Sequence, residues 1–401
     1  MKVLFITRAL PHSHVYSGLI VIHHRIRLLA ERGYQVGVAS FCDPGETAGM
    51  EEMRGLVAEL ETLPTPQPLP AARKILAHFF GPAPSPLSQM SDPRMSELVG
   101  RMVNRSHYDV AIAEFTGMGQ YLFWNVNLPA VRRIVSVHSC ASSAFQKAVQ
   151  IEPRSAASLW KRLALPRLKR YEMALYRSAD MVLTLTEDER QDILKMDPNI
   201  RIEVSPYGVD THRFSPPSED EAGREESIVF TAYYKDEPNL DAVLWFSHTV
   251  WPKLRRLYPA LKFYVVGSSP PPEIQDLARR DPGIIVTGEV ADVAPYLARS
   301  RIYVCPMRMG TGFRGKLLQA MAAGLPVVAT TRSAEGLPLE PGSNILLADT
   351  PHVMLENISL LLTDRALRKR ISDRAMETVR QRFTWSHCVD TLENAIREVV
   401  P

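Results

Sequence analysis

A chain of 401 residues is longer than one hydrophobic core usually supports, so two domains are expected. Its 45% hydrophobic and 23% charged residues are ordinary for a globular protein and exclude a disordered or fibrous one. A formal net charge of +3 is too small to mark nucleic acid as a partner.

Cys42, Cys140, Cys305 and Cys388 lie far apart and form no CxxC pair, which points to free buried thiols in a reducing compartment. The opening MKVLFITRAL has neither the long apolar stretch nor the cleavage site of a signal peptide. No segment approaches the roughly 20 apolar residues that span a bilayer. A cytoplasmic protein is expected, with the inner face of the membrane left open as its place of work.

Short β-branched runs alternate with longer amphipathic segments, the pattern of a parallel sheet covered by helices. In the first half it predicts strands at Val3–Thr7, Gln35–Ser40, Val110–Glu114, Arg133–His138 and Met181–Thr186. Ile20–Arg32 has helical apolar spacing and ends at Gly33, a C-cap residue, which makes a βαβ unit. Residues 62–93 carry seven prolines from Pro64 to Pro86 and read as a mobile excursion near an acceptor's approach. Ser215–Glu226, with two prolines and many charges, reads as an interdomain linker. The pattern then restarts, with strands at Ser227–Ala232, Leu261–Gly267, Gly283–Thr287, Arg301–Cys305, Pro326–Thr330 and Asn344–Leu347. The prediction is an α/β protein of two Rossmann-like domains facing across a cleft. Residues 1–210 form the acceptor-side domain and 211–382 the donor domain. The final segment, 383–401, is a helix free to pack back on the first domain.

Four places suggest chemistry. Ser17 and Gly18 stand where the first strand's loop meets a helix, a position at which backbone approaches a phosphate; an ordinary βα turn would look the same. His138, at a strand's carboxyl end, is placed to donate a hydrogen bond to a hydroxyl or phosphate, although a lone histidine is more often structural. In Met307–Met321, Gly310, Gly312 and Gly315 surround Arg314 and Lys316 at a helix start, where a diphosphate would sit. Gln319 is the polar member of that helix's buried side and could reach a sugar hydroxyl. Residues 154–177 carry Lys161, Arg162, Arg167, Lys169, Arg170 and Arg177 with Trp160 and Leu163 interleaved. Such a segment can dock on anionic lipid as a peripheral membrane contact, although a solvated helix face is the commoner use.

Five segments in order carry a family resemblance. They are Tyr207–Asp210 (YGVD), Phe230–Phe246 (FTAYYKDEPNLDAVLWF), Val265–Ser268 (VVGS), Val286–Val290 (VTGEV) and Cys305–Thr330 (CPMRMGTGFRGKLLQAMAAGLPVVAT). Together they resemble the retaining glycosyltransferases of family GT4, which have the GT-B fold. The turn at Gly312–Lys316 is similar to a subgroup from exopolysaccharide and surface-glycan pathways. The resemblance implies a nucleotide-diphosphate sugar bound mainly by the second domain and an acceptor entering from the first. That acceptor would be a glycan, a lipid-linked sugar or a small molecule. It implies no cofactor and no metal, and the sequence has no DxD motif to hold one. His138 matches a family histidine that contacts donor sugar or phosphate, and Gly18 the glycine of the loop that closes on the phosphate. Phe313 and Gly267 fall in the donor-binding segments.

Three departures bear on mechanism. The family commonly has two glutamates around the glycine-rich turn; here those positions hold Thr311 and Gln319. The family's phosphate-binding cations follow the second domain's first strand, where this chain has only Lys235 and a Pro238. Arg314 and Lys316 are therefore expected to take over phosphate neutralisation, with His138 and Thr311 orienting the sugar and Gln319 the ribose. A nucleotide-sugar epimerase of the same fold and a non-catalytic sugar-nucleotide-binding protein are the alternatives.

Overall fold

The computed structural model describes the chain except residues 14–17, 44, 68–69, 71–74, 76–77, 82, 152–155, 218–223, 311–314 and 401. It divides into two compact units, Met1–Pro206 with Cys388–Pro401, and Tyr207–His387. The sequence reading sets these divisions at 210/211 and 382/383.

The first unit is built on seven strands: β1 (Lys2–Thr7), β2 (Gln35–Cys42), β3 (Glu59–Pro64), β4 (Val110–Glu114), β5 (Arg132–Val137), β6 (Met181–Thr184) and β7 (Ile202–Val204). They form one parallel sheet in the order β3-β2-β1-β4-β5-β6-β7. β1 is buried on both faces, which is why it reads as a continuous apolar run. Val3 and Phe5 pack with Ile22, Ile26 and Leu29 of the helix Gly18–Glu31. Leu4 and Ile6, pointing the other way, pack with Met95, Val99 and Met102 of the helix Pro93–Ser106. The final helix, Trp385–Val399, places Val389, Leu392, Ile396 and Val399 in the same cluster as Val3 and Phe5.

Two strands escape the sequence pattern. β3 (ELETLP) is a half-buried edge strand, so it carries charges and a terminal proline that a central strand would not tolerate. Its pairing of Thr62, Leu63 and Pro64 with β2 takes the start of the proline-rich excursion into the sheet. β7 has only three residues, too few for a periodic signal.

The second unit has six parallel strands: β8 (Ser227–Thr231), β9 (Lys262–Val266), β10 (Ile284–Gly288), β11 (Ile302–Cys305), β12 (Val327–Ala329) and β13 (Leu346–Leu347). Their order is β10-β9-β8-β11-β12-β13. The end of the expected linker is built into this unit rather than spacing it. Arg224 is buried and donates to the carbonyls of Ser300 at 3.0 Å and Ala323 at 2.7 Å.

Candidate functional site

In an open α/β sheet, ligands bind beyond the carboxyl ends of the strands where the order reverses direction. The first sheet reverses between β1 and β4, and residues that follow β1, β4 and β5 meet there. Gly18 begins the helix after β1, Phe115 follows β4, and His138 follows β5. A Cβ added to Gly18 would lie 2.6 Å from His138 Nδ1 and 2.8 Å from the Phe115 ring. Only glycine lets the helix start so close to both side chains. Phe115 takes φ 72°, a conformation that costs a non-glycine residue about 1–3 kcal/mol. In that conformation its ring stacks on His138, centroids 4.0 Å apart, and the Arg8 guanidinium covers it at 3.9 Å.

Behind His138 lies a buried charged chain. His138 Nε2 is 2.7 Å from Glu114 Oε2, and the Arg25 guanidinium donates to Glu114 Oε1 at 2.9 Å. Arg25 also donates to Ser136 Oγ at 2.8 Å and Ser205 Oγ at 2.9 Å, while Ser205 donates to the Cys388 carbonyl at 3.2 Å. Arg25 and Glu114 have no exposed side-chain surface. Burial by itself would raise the Glu114 pKa, but Arg25, His138 and Ser136 outweigh it and hold the carboxyl at about 2. Burial lowers the pKa of His138; Glu114 opposes this, and Arg25 and Arg8 reinforce it.

Two further carboxylates, the buried Glu172 and the half-buried Glu189, hold the loop after His138. Glu172 accepts from the amides of Ala141 at 2.9 Å and Ser142 at 2.8 Å, and Glu189 accepts from Cys140 at 2.7 Å. These bonds satisfy amides at the start of the helix Ala141–Ile151. Burial pushes Glu189 up to about 7 despite the amide bond.

The second sheet reverses between β8 and β11. Of the glycine-rich turn there, Thr311, Gly312, Phe313 and Arg314 lie outside the described residues, as does Ser17 in the first unit. Gly310 has φ 91°, and Gly315 opens the helix Gly315–Ala322. Lys316, on that helix, donates to Asn239 Oδ1 at 2.8 Å and lies 4.7 Å from the Phe230 ring centroid. Asn239 belongs to the helix Glu237–Thr249 that follows β8, and its amide donates to the Tyr233 carbonyl at 2.8 Å. Lys316 therefore reaches across the switch point from one helix to the other. Gln319 is half-buried one turn further on, while Lys235 is exposed. Gly267 has φ 140°, and a Cβ there would lie 1.8 Å from the Ala232 carbonyl oxygen. Close approach of the β8 and β9 ends requires that glycine.

Among the described residues, no three His, Cys, Asp or Glu side chains come together in a way that could hold a metal ion. None of the described helices is long and apolar enough to cross a membrane. None of the four cysteines is paired in a disulfide, and Cys140, Cys305 and Cys388 are buried.

Sequence reading passed over Arg8, Arg25, Glu114 and Asn239. Arg25 and Glu114 did leave a signal. Arg25 interrupts the buried stripe of Ile22, Ile26 and Leu29, and Glu114 ends a strand otherwise composed of Val, Ala and Ile. A charge on a buried face needs a partner, so two such interruptions in one domain point to each other.

The family model described as Glycosyltransferase Family 4 matches residues 20–213, and the one described as Glycosyl transferases group 1 matches residues 225–364. A phosphatidyl-myo-inositol mannosyltransferase of Mycolicibacterium smegmatis is 30% identical over 188 residues. That match spans 45% of this chain and 48% of the relative, about half the length of each. Sucrose-phosphate synthase from Thermosynechococcus elongatus has a similar structure, with a TM-score of 0.71 at 15% identity over 99% of both chains. Anabaena HepE, solved in complex with UDP and glucose, gives a TM-score of 0.67 at 14% identity over 99% of both chains. At such identities the likeness concerns the fold, which is GT-B with two Rossmann-like domains. With one family model on each half of the chain and the GT-B fold throughout, the protein belongs to the family 4 glycosyltransferases.

Proposed function

We propose that the protein transfers a hexosyl-type sugar from a nucleotide-diphosphate-sugar donor to an acceptor hydroxyl, with retention of configuration and without a metal. The acceptor is a glycan, a lipid-linked sugar or a small molecule, in a surface-glycan type of pathway. The observation that carries this reading is Lys316. Its ammonium extends from the helix after β11 to Asn239 on the helix after β8, beside the segment that the family resemblance leaves short of cations. A cation there, with the amides at the start of Gly315–Ala322, suits a diphosphate whose charge grows as the sugar leaves. In this reading Arg314, Gly312 and Phe313 also bind the donor, as expected from the sequence, and Gln319 serves the ribose. On the first unit, Gly18 and Arg8 are suited to a phosphate and His138 to a sugar; Ser17 and Thr311 keep in this reading the phosphate and sugar roles expected from the sequence. Both family descriptions name glycosyl transfer, which supports transfer over epimerisation.

Thermal shift with UDP-, GDP-, ADP- and dTDP-sugars tests the proposal, because a ligand at 100 times its Kd stabilises by about 2.7 kcal/mol. At least one donor is expected to raise Tm by several degrees, and nucleoside diphosphate should then be released only when an acceptor is present. No shift with any nucleotide sugar would sink the proposal. Sugar interconversion without an acceptor would identify an epimerase, and binding without turnover a sensor.

We also propose a peripheral contact with anionic lipid through 154–177. On the helix Ala156–Arg177, Leu159 and Leu163 are 59% and 60% exposed beside the exposed Arg162 and Arg170. Trp160 packs edge-on against Phe79, and Phe80, 82% exposed, adds apolar surface from a neighbouring segment. The protein should sediment with vesicles containing phosphatidylglycerol and not with pure phosphatidylcholine vesicles, and Leu163→Asp should weaken this binding. Equal behaviour with both vesicle types would refute the lipid contact.

A further inference from the structure

His138 is chemically asymmetric in this fold. Its side chain is 5% exposed, its Nε2 faces Glu114, and its Nδ1 is buried without a hydrogen-bond partner among the described residues. An ionised carboxylate only accepts hydrogen bonds, so the 2.7 Å contact requires the proton to be on Nε2. Arg25 keeps Glu114 ionised through its 2.9 Å bond, and its own positive charge opposes a second charge on the imidazole. The ring is then neutral, and Nδ1 presents a bare lone pair. That lone pair lies beside Gly18, the first residue of the helix Gly18–Glu31.

A lone pair repels a phosphate oxygen and accepts from a hydroxyl. We propose that Glu114, paired with Arg25, is a positioning residue that fixes His138 as the Nε2–H tautomer and makes Nδ1 an acceptor for a substrate hydroxyl. This reverses the hydrogen bond expected from the sequence, in which His138 donates. Assigning the hydroxyl to the donor's sugar rests on the glycosyl-transfer reading; the tautomer does not. Arg25 acts at one further remove, cancelling the charge of Glu114 while Ser136 and Ser205 hold its guanidinium.

The tautomer is read directly from long-range proton–nitrogen spectra of the ¹⁵N-histidine-labelled, ligand-free protein at neutral pH, with His138→Gln used to assign the signal. An unprotonated Nδ1 with a protonated Nε2 is expected; a protonated Nδ1 overturns the proposal. Calorimetry with UDP-glucose against UDP, and GDP-mannose against GDP, then tests the ligand atom. In His138→Gln the amide can still donate to Glu114 but the Nδ1 acceptor is gone. It should bind the sugar nucleotide about tenfold more weakly and the bare nucleotide within about twofold of wild type. An equal loss for both would mean a phosphate contact and overturn the hydroxyl assignment. Glu114→Gln can either accept from or donate to Nε2, so its spectrum should show both tautomers, and an unchanged spectrum would remove Glu114 from the role. If that variant does not fold, the wild-type spectrum and the His138→Gln titrations still decide. Failure of the transfer reading looks different. Neither nucleotide nor nucleotide sugar would then bind wild type, and the sugar assignment would fall while the spectrum judged Glu114 alone.

Discussion

Arg25→Ala is expected to lower the unfolding free energy by about 3–5 kcal/mol, measured by urea denaturation at neutral pH. The cost comes from what is left behind. Glu114 is fully buried and ionised, and without Arg25 its strongest counter-charge disappears. The variant must either keep an uncompensated charge in the core or protonate the carboxyl. The pH profile separates this from a simple packing defect. In the native protein the Glu114 pKa is depressed to about 2, so its stabilising contribution is complete above the ordinary carboxylate range and is lost as pH falls toward 2. Removing Arg25 raises the folded pKa, so the variant should lose stability mainly above pH 4–5 and little in acid. Arg25→Met combined with Glu114→Leu should recover most of the loss, because apolar side chains then replace the pair outright. A single-variant cost below about 1 kcal/mol would mean that water reaches Glu114 readily.

Lys316→Ala should lower glycosyl transfer about 100- to 1000-fold in kcat, the scale of losing one preorganised group from a leaving-group site. Stability should change far less, since Lys316 is only half-buried and its Asn239 partner keeps a bond to the Tyr233 carbonyl. A kcat effect with a modest KM effect marks stabilisation that grows as the diphosphate departs. Lys316→Arg should restore part of the rate, because charge is retained while the compact ammonium geometry is not. A near-normal rate in Lys316→Ala would take Lys316 out of the proposed mechanism, leaving the leaving group to Arg314 and the backbone amides.

Periodicity in the sequence determined the central architecture. Runs such as Val3–Thr7 and Ser227–Ala232 are apolar without alternation because both sheet faces are covered, and that pattern depends only on local composition. It could not reveal β3 or β7, since an edge strand needs few apolar residues and a three-residue strand has no period. Motif spacing likewise marked Gly18, His138 and Lys316, whose residue types carry their chemistry openly. The same spacing said nothing of which atom each one offers. Whether His138 donates or accepts depends on Glu114, 24 positions away, and Glu114 depends on Arg25, a further 89 positions toward the N-terminus. The direction of Lys316 depends on Asn239, 77 residues earlier. A buried charge or tautomer is set by short-range electrostatics within a few ångströms, and only the folded chain brings such distant residues that close. Residue type and order were thus determined by the sequence alone; protonation, direction and mutual support were decided by tertiary contact.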